Sequence, residues 1–255
     1  MSLDLATITL SVAMAAAAGL IGCFAVMRRM SLASDAISHV ALPGIALALW
    51  CHVQPFLGGL LALLVGTALI WKVETRTRMA TETVIGVVFS GALAIGAMLT
   101  GGQELVEALF GRPGTLATWE LVLGLAGAAG VVGFVLVVRH RLVLALVSPD
   151  VARASGIRVE RLSLLYLLAF SFTVALGLRY LGVLLMGSLV IIPAATAKHV
   201  TRRLTAMLAV AVVVAVVATV IGLVLARGLH RESGPMIIAV AVGIFFLGLL
   251  RPRSI

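Results

Sequence analysis

The sequence predicts an all-α polytopic membrane protein of about nine transmembrane helices, and three observations lead there. Hydrophobic residues make up 62% of the 255 positions and charged residues only 11%, against about 25% charged in ordinary soluble domains. Mean hydropathy is +1.21. Apolar runs of nearly twenty residues recur from end to end, each long enough to cross about 30 Å of hydrocarbon as a helix.

The first run, 6–27, is preceded by Asp4 alone and lacks the basic start of a cleaved leader, so it reads as a retained span. The second, 32–50, contains Pro43. The third and fourth cover 56–73 and 82–100. The fifth, 119–138, is glycine-rich from Gly124 to Gly133, which suits close packing in lipid. The remaining four cover 162–178, 181–198 with Pro193 inside it, 205–226 and 235–250. If one segment is re-entrant, the number of crossings falls to eight. The fifth span separates spans 1–4 from spans 6–9, which then enter the membrane in opposite directions. Pro43 and Pro193 each interrupt the second helix of their half, a pattern that points to an inverted repeat with a pathway between the halves. Residues 1–255 read as a single transmembrane domain.

The formal net charge of +9 is spread over short loops, as in membrane topology, and implies no nucleic-acid partner. With the polar connection 139–161 placed in the cytoplasm and the spans alternating, only Arg112, Arg179, Arg227 and Arg231 of the 19 Lys and Arg fall outside. The positive-inside rule then puts the N-terminus outside and the C-terminus in the cytoplasm. Cys23 and Cys51, the only cysteines, form no disulfide framework and read as packing residues.

The sharpest local feature is Asp35-Ala36-Ile37-Ser38-His39. Four residues apart, the acid and the imidazole share a helix face, about 5–6 Å apart at Cβ. An ionisable pair at the start of an apolar helix is costly unless it faces protein or water. Together the two could hold zinc, manganese or ferrous iron. Pro43 cannot supply the N–H that would bond the carbonyl of His39, which is thereby left free. A second reading also fits: Asp35 caps the helix and His39 bonds a neighbouring one.

In the longest polar connection, Ser148 suits an N-cap, Pro149 a first helical turn, Asp150 the positive helix end and Gly156 a helix stop. The expectation is a short helix containing Ala152, with a solvated loop as the alternative. His52, His140, His199 and His230 sit at span ends or in loops. Glu104, Glu107 and Glu120 read as solvated acids or as part of a docking surface. No GxxxxGK[ST] loop is present and Lys72 and Lys198 are the only lysines, so ATP binding must come from another subunit. Neither HExxH nor GxSxG occurs, which weakens a hydrolase reading.

Taken together, Arg28-Arg29-Met30-Ser31-Leu32, Asp35-Ala36-Ile37-Ser38-His39 and Leu42-Pro43-Gly44 closely resemble the N-terminal signature of ABC-type zinc and manganese permeases. Glu82-Thr83-Val84-Ile85-Gly86, Leu109-Phe110-Gly111, Ser148-Pro149-Asp150-Val151-Ala152 with Gly156, and Ile191-Ile192-Pro193-Ala194-Ala195-Thr196-Ala197 are similar to the family's later landmarks, in the same order. The resemblance implies a permease in the cell membrane that pairs with a second copy of itself, binds cytoplasmic ATP-binding subunits and accepts a metal ion from an extracytoplasmic metal-binding protein. It holds no permanent cofactor, and the divalent ion is its cargo. Asp35 and His39 map onto the metal path, and Ser148, Pro149, Asp150, Ala152 and Gly156 onto the segment that couples to the ATPase. Ser148-Pro149-Asp150 is more similar to zinc-type members than to manganese-type ones, which often carry two acids there. Gly111-Arg112-Pro113-Gly114 lacks the acid common after that glycine. Two other classes compete: a proton-coupled secondary metal transporter, with Asp35 and His39 as the titrating pair, and an intramembrane enzyme.

Overall fold

The computed structural model describes residues 5–30, 33–77, 79–99, 118–181 and 183–250, with only the backbone given at 183 and 184. Of the residues singled out above, Asp4, Ser31, Leu32, Glu104, Glu107 and those at 109–114 lie outside that set. The described residues form ten helices: α1 (Leu5–Met27), α2 (Ala33–Trp50), α3 (Pro55–Thr77), α4 (Thr81–Leu99), α5 (Thr118–Val147), α6 (Pro149–Ala154), α7 (Val159–Tyr180), α8 (Val183–Val200), α9 (Leu204–Gly228) and α10 (Ser233–Leu249). Among the described residues, each hydrophobic run of the sequence coincides with a helix. Helices α1–α5, α7 and α9 are long and apolar enough to cross a membrane, whereas the apolar stretches Leu185–Val200 and Ser233–Leu249 are shorter.

One expectation needs correcting. The fifth span was placed at 119–138 with a polar connection beyond it, yet α5 runs on for 30 residues through Arg139, His140 and Arg141 to Val147. A helix satisfies its own backbone hydrogen bonds whether lipid or water surrounds it, so charges ended the apolar run without ending the helix.

Small residues set the close contacts, as expected where helix association depends on backbone approach. A Cβ added at Gly22 of α1 would fall 1.9 Å from the carbonyl oxygen of Val190 on α8. On α2 and α3, Gly44 and Gly58 face one another, and a Cβ on either would lie 2.2 Å from the other's carbonyl oxygen. Helix α1 is buried on nearly all sides from Leu10 to Ala25 and packs against α5, α7, α8 and α9.

The inverted repeat is visible in the packing. Helices α1–α4 have 23, 18, 23 and 19 residues, and α7–α10 have 22, 18, 25 and 17. Pro43 and Pro193 are each the eleventh residue of an 18-residue helix. The contacts α2·α3, α2·α4 and α3·α4 recur as α8·α9, α8·α10 and α9·α10, while α1·α8 and α1·α9 recur as α7·α2 and α7·α3. Helix α5 touches both α1 and α7, as an element on the exchange axis must. The counterparts differ in extent: α9·α10 is more extensive than α3·α4 and α1·α8 more than α2·α7, and α7·α8 has no comparable contact between α1 and α2 among the described residues.

Side-chain bonds show which helix ends lie together. Lys198 Nζ donates to the carbonyl of Val26, Arg28 to Ser163 and Trp71 Nε1 to the carbonyl of Glu160, which gathers the ends of α1, α3 and α8 with the start of α7, beside α6. At the opposite end of α7, Arg179 pairs with Glu120 at the start of α5.

Candidate functional site

Helix α2 starts at Ala33, so Asp35 sits in its first turn and is not its cap. There its charge opposes the positive end of the helix. The carboxylate is exposed and has no hydrogen-bond or ion-pair partner among the described residues. The adjacent Ser34 donates to the carbonyl of Gly187 on α8 at 3.4 Å, and a Cβ at Gly187 would come to 3.8 Å from Asp35 Oδ1. The missing side chain at Gly187 thus keeps space open in front of the carboxylate. Two helix N-termini, those of α2 and α8, converge on this point.

One turn further, His39 is half-buried with its ring against Phe89 of α4, the centroids 5.5 Å apart and the planes at 57°. Its Nδ1 is shut off from solvent and has no hydrogen-bond partner among the described residues. Leaving a buried polar atom unpaired costs about 1–3 kcal/mol. Pro43 lies within α2 and removes the N–H due to the His39 carbonyl, and Pro193 does the same to Leu189 in α8. An imidazole nitrogen and a carboxylate on one face suit a transition-metal ion. No group of three or more His, Cys, Asp or Glu positioned to hold a metal occurs among the described residues. Two protein donors fall short of the four of a closed structural zinc site. They suit an ion that arrives, keeps some of its water and leaves.

The expected short helix is α6. Pro149 opens it, and Ser148 caps it by its backbone, whose carbonyl accepts the N–H of Ala152 at 3.0 Å, since its hydroxyl makes no cap bond. Gly156 ends it at φ +80°: its N–H bonds the carbonyl of Arg153 and the next N–H, of Ile157, that of Ala152, both at 3.0 Å. This is the Schellman stop, for which glycine has no steric penalty. Asp150 bonds Arg153 at 3.2 Å, and Arg153 reaches on to Glu160 of α7, also at 3.2 Å. Ala152 is 0% exposed and faces the chain's own α5 and α7. The outward face is formed by Asp150, Val151 and Arg153.

Elsewhere, His52 and His230 adopt left-handed backbone at the ends of α2 and α9, where their N–H groups close the last turn. Glu120 was read as a solvated or docking acid. The structure instead buries it in an ion pair with Arg179 while Tyr180 donates to its carbonyl at 2.9 Å. Cys23 is buried and Cys51 exposed, both free. Ser34, Phe89 and Gly187 were missed because their relation to Asp35 and His39 is long-range and leaves no trace in local spacing.

Comparison with known proteins agrees with this architecture. The chain is 28% identical to the high-affinity zinc uptake system membrane protein ZnuB of Haemophilus influenzae, over 91% of this chain and 90% of that one. It is 30% identical to the manganese transport system membrane protein MntC of Halalkalibacterium halodurans, over 90% and 80%. Its fold matches PsaBC from Streptococcus pneumoniae, solved in complex with Fab, with a TM-score of 0.82 at 24% identity, covering 97% of this chain and 91% of that one. The model of the ABC 3 transport family matches residues 3–251, and this chain belongs to that family.

Proposed function

We propose that this chain is the permease through which an ATP-driven importer passes a divalent transition-metal ion into the cytoplasm, zinc ahead of manganese. The observation that carries the reading is the pairing of Asp35 with His39 where the two halves meet, with the Asp35 carboxylate unclaimed and His39 Nδ1 unpaired. Paired helix N-termini near the middle of a membrane are a recurring way to line a path for ions. Relatives are named for zinc and for manganese. The preference for zinc comes from Ser148-Pro149-Asp150.

A second copy of the chain, facing the first across the path, would bring another Asp35 and His39 and complete a four-donor shell. Cytoplasmic ATP-binding subunits would dock on the outward face of α6. An extracytoplasmic metal-binding protein would deliver the ion at the end of the bundle marked by Glu120 and Arg179. The chain lies in the cell membrane as one multi-pass domain, with its N-terminus outside and its C-terminus in the cytoplasm. Membership of the ABC 3 family does not favour the proton-coupled alternative.

The test is Asp35→Asn in the assembled complex, with uptake of zinc, manganese and iron(II) measured at matched expression. Asparagine serves a helix start as well as aspartate does, but it lacks the charge. Uptake should be lost. Near-normal uptake would sink the metal role of Asp35.

A further inference from the structure

Arg28 follows the last residue of α1 and reaches across to α7. Its guanidinium donates to Ser163 Oγ at 2.7 Å and lies over the ring of Tyr166, 5.1 Å from the centroid. Tyr166 is fully buried and returns its hydroxyl to the carbonyl of Ile21 at 3.2 Å, so α1 and α7 are tied at two levels. One turn before Ser163, on the same face of α7, Glu160 accepts from Arg153 of α6 at 3.2 Å. Its backbone carbonyl takes the Trp71 Nε1–H at 2.9 Å.

On its other side, Arg28 leads into a tight bend. Met30 bonds back to Ala25 at 2.8 Å, and Ala33, the first residue of α2, bonds back to Met30 at 3.1 Å. Asp35 follows two residues later. A cavity of about 40 Å³ lies beside this contact, bordered by Phe24, Arg28, Leu146 and Ser163.

At the corresponding end of α7 the cation is Arg179, which pairs with Glu120 of α5. The link from a helix end through α7 to α6 therefore belongs to the half that carries Asp35 and His39.

We propose that Arg28 is a positioning residue that ties the movement of α6 to that of α2, through Glu160 and Ser163, so that displacement of α6 by the ATPase reaches Asp35. This rests on the reading of α6 as the ATPase-docking segment and of Asp35 as a metal ligand. A guanidinium stacks on an aromatic face and hydrogen-bonds in its plane at once, whereas an ammonium is a compact point charge. Arg28→Lys therefore keeps the favourable charge at the end of α1 and loses the combined contact.

The measurement is metal ions imported per ATP hydrolysed, with zinc and then manganese, by the full transporter in sealed vesicles. Arg28→Lys should lower the ratio at least fivefold while subunit stoichiometry and equilibrium zinc binding stay at wild-type values. Adding Ser163→Ala to Arg28→Lys should lower it no further. A wild-type ratio in Arg28→Lys overturns the proposal. If that variant fails to assemble, Ser163→Ala, which removes the acceptor of the Arg28 hydrogen bond, is read in the same way: a lowered ratio supports the role of Arg28 and a wild-type ratio overturns it. A wild-type complex that hydrolyses ATP and imports neither metal would remove the transport reading itself and this inference with it. Normal wild-type import with unaffected variants would remove the role of Arg28 alone.

Discussion

Ser34 on α2 donates its hydroxyl to the carbonyl of Gly187 on α8 at 3.4 Å, which joins the first turns of the two proline-containing helices. Because a Cβ at Gly187 would stand 3.8 Å from Asp35 Oδ1, an ordinary van der Waals distance, Gly187→Ala should fold normally. Gly187→Leu would carry its branched end into the space before the carboxylate. It should cut metal uptake at least tenfold at matched membrane expression, and equal uptake by the two variants would remove Gly187 from the path.

His39 offers a separation of stability from activity. A buried atom without a partner contributes nothing favourable to folding, and His39 Nδ1 is such an atom. His39→Leu, similar in bulk and able to keep contact with Phe89, should change unfolding free energy by less than about 1 kcal/mol while abolishing uptake. Thermal melting and transport measured on the same preparations would check this. A lower melting point with transport retained would mean that the imidazole serves packing.

The two faces of α6 predict opposite phenotypes. Val151 is 52% exposed and Ala152 0%. Val151→Arg should leave melting unchanged and weaken co-purification of the ATPase subunits. Ala152→Val forces two methyl groups into a filled seat, at a cost of about 1–3 kcal/mol, and should lower melting first. If Val151→Arg retains the ATPase in full, the outward face of α6 is not the docking surface.

The α1–α8 crossing should tolerate no side chain. Gly22→Ala sets a methyl 1.9 Å from the Val190 carbonyl oxygen, a backbone atom that cannot rotate away, whereas Gly86 has nothing within 4 Å. Gly22→Ala should destabilise by at least about 2 kcal/mol, in the range of overpacked cores. Gly86→Ala should be neutral or stabilise by about 0.5–1 kcal/mol, the usual gain of removing a helix-interior glycine. Equal melting points for the two variants would contradict the close approach of α1 and α8.

The apolar helices were legible because each coincides with a hydrophobic run, seven of them among the described residues long enough to cross a membrane, and the repeat because Pro43 and Pro193 mark equivalent places. Asp35 and His39 stood out because ionisable residues are rare in such runs. Other features left no local signal. A six-residue helix has too few turns for periodicity to reveal which way Ala152 faces. Arg139 and Arg141 read as loop because charge marks where lipid ends, which differs from where a helix ends. Arg29, His52 and His230 adopt left-handed backbone at φ 60°, 56° and 50°, where sequence alone would look for glycine. The pairing of Glu120 with Arg179 joins residues 59 apart, and no spacing rule reaches that far.

The enclosure of α1 has a consequence for the order in which the chain is made. Its extensive contacts are all with α5, α7, α8 and α9, every one of them encoded after residue 117. Helix α1 therefore leaves the ribosome well before any of these neighbours exists. Until then its strip of small residues, Ala15, Ala17, Ala18, Gly19 and Gly22, faces lipid or whatever other surface offers a match. A nascent chain cut short before α8 would strand α1 without its closest partner, and such fragments would be early targets for membrane quality control.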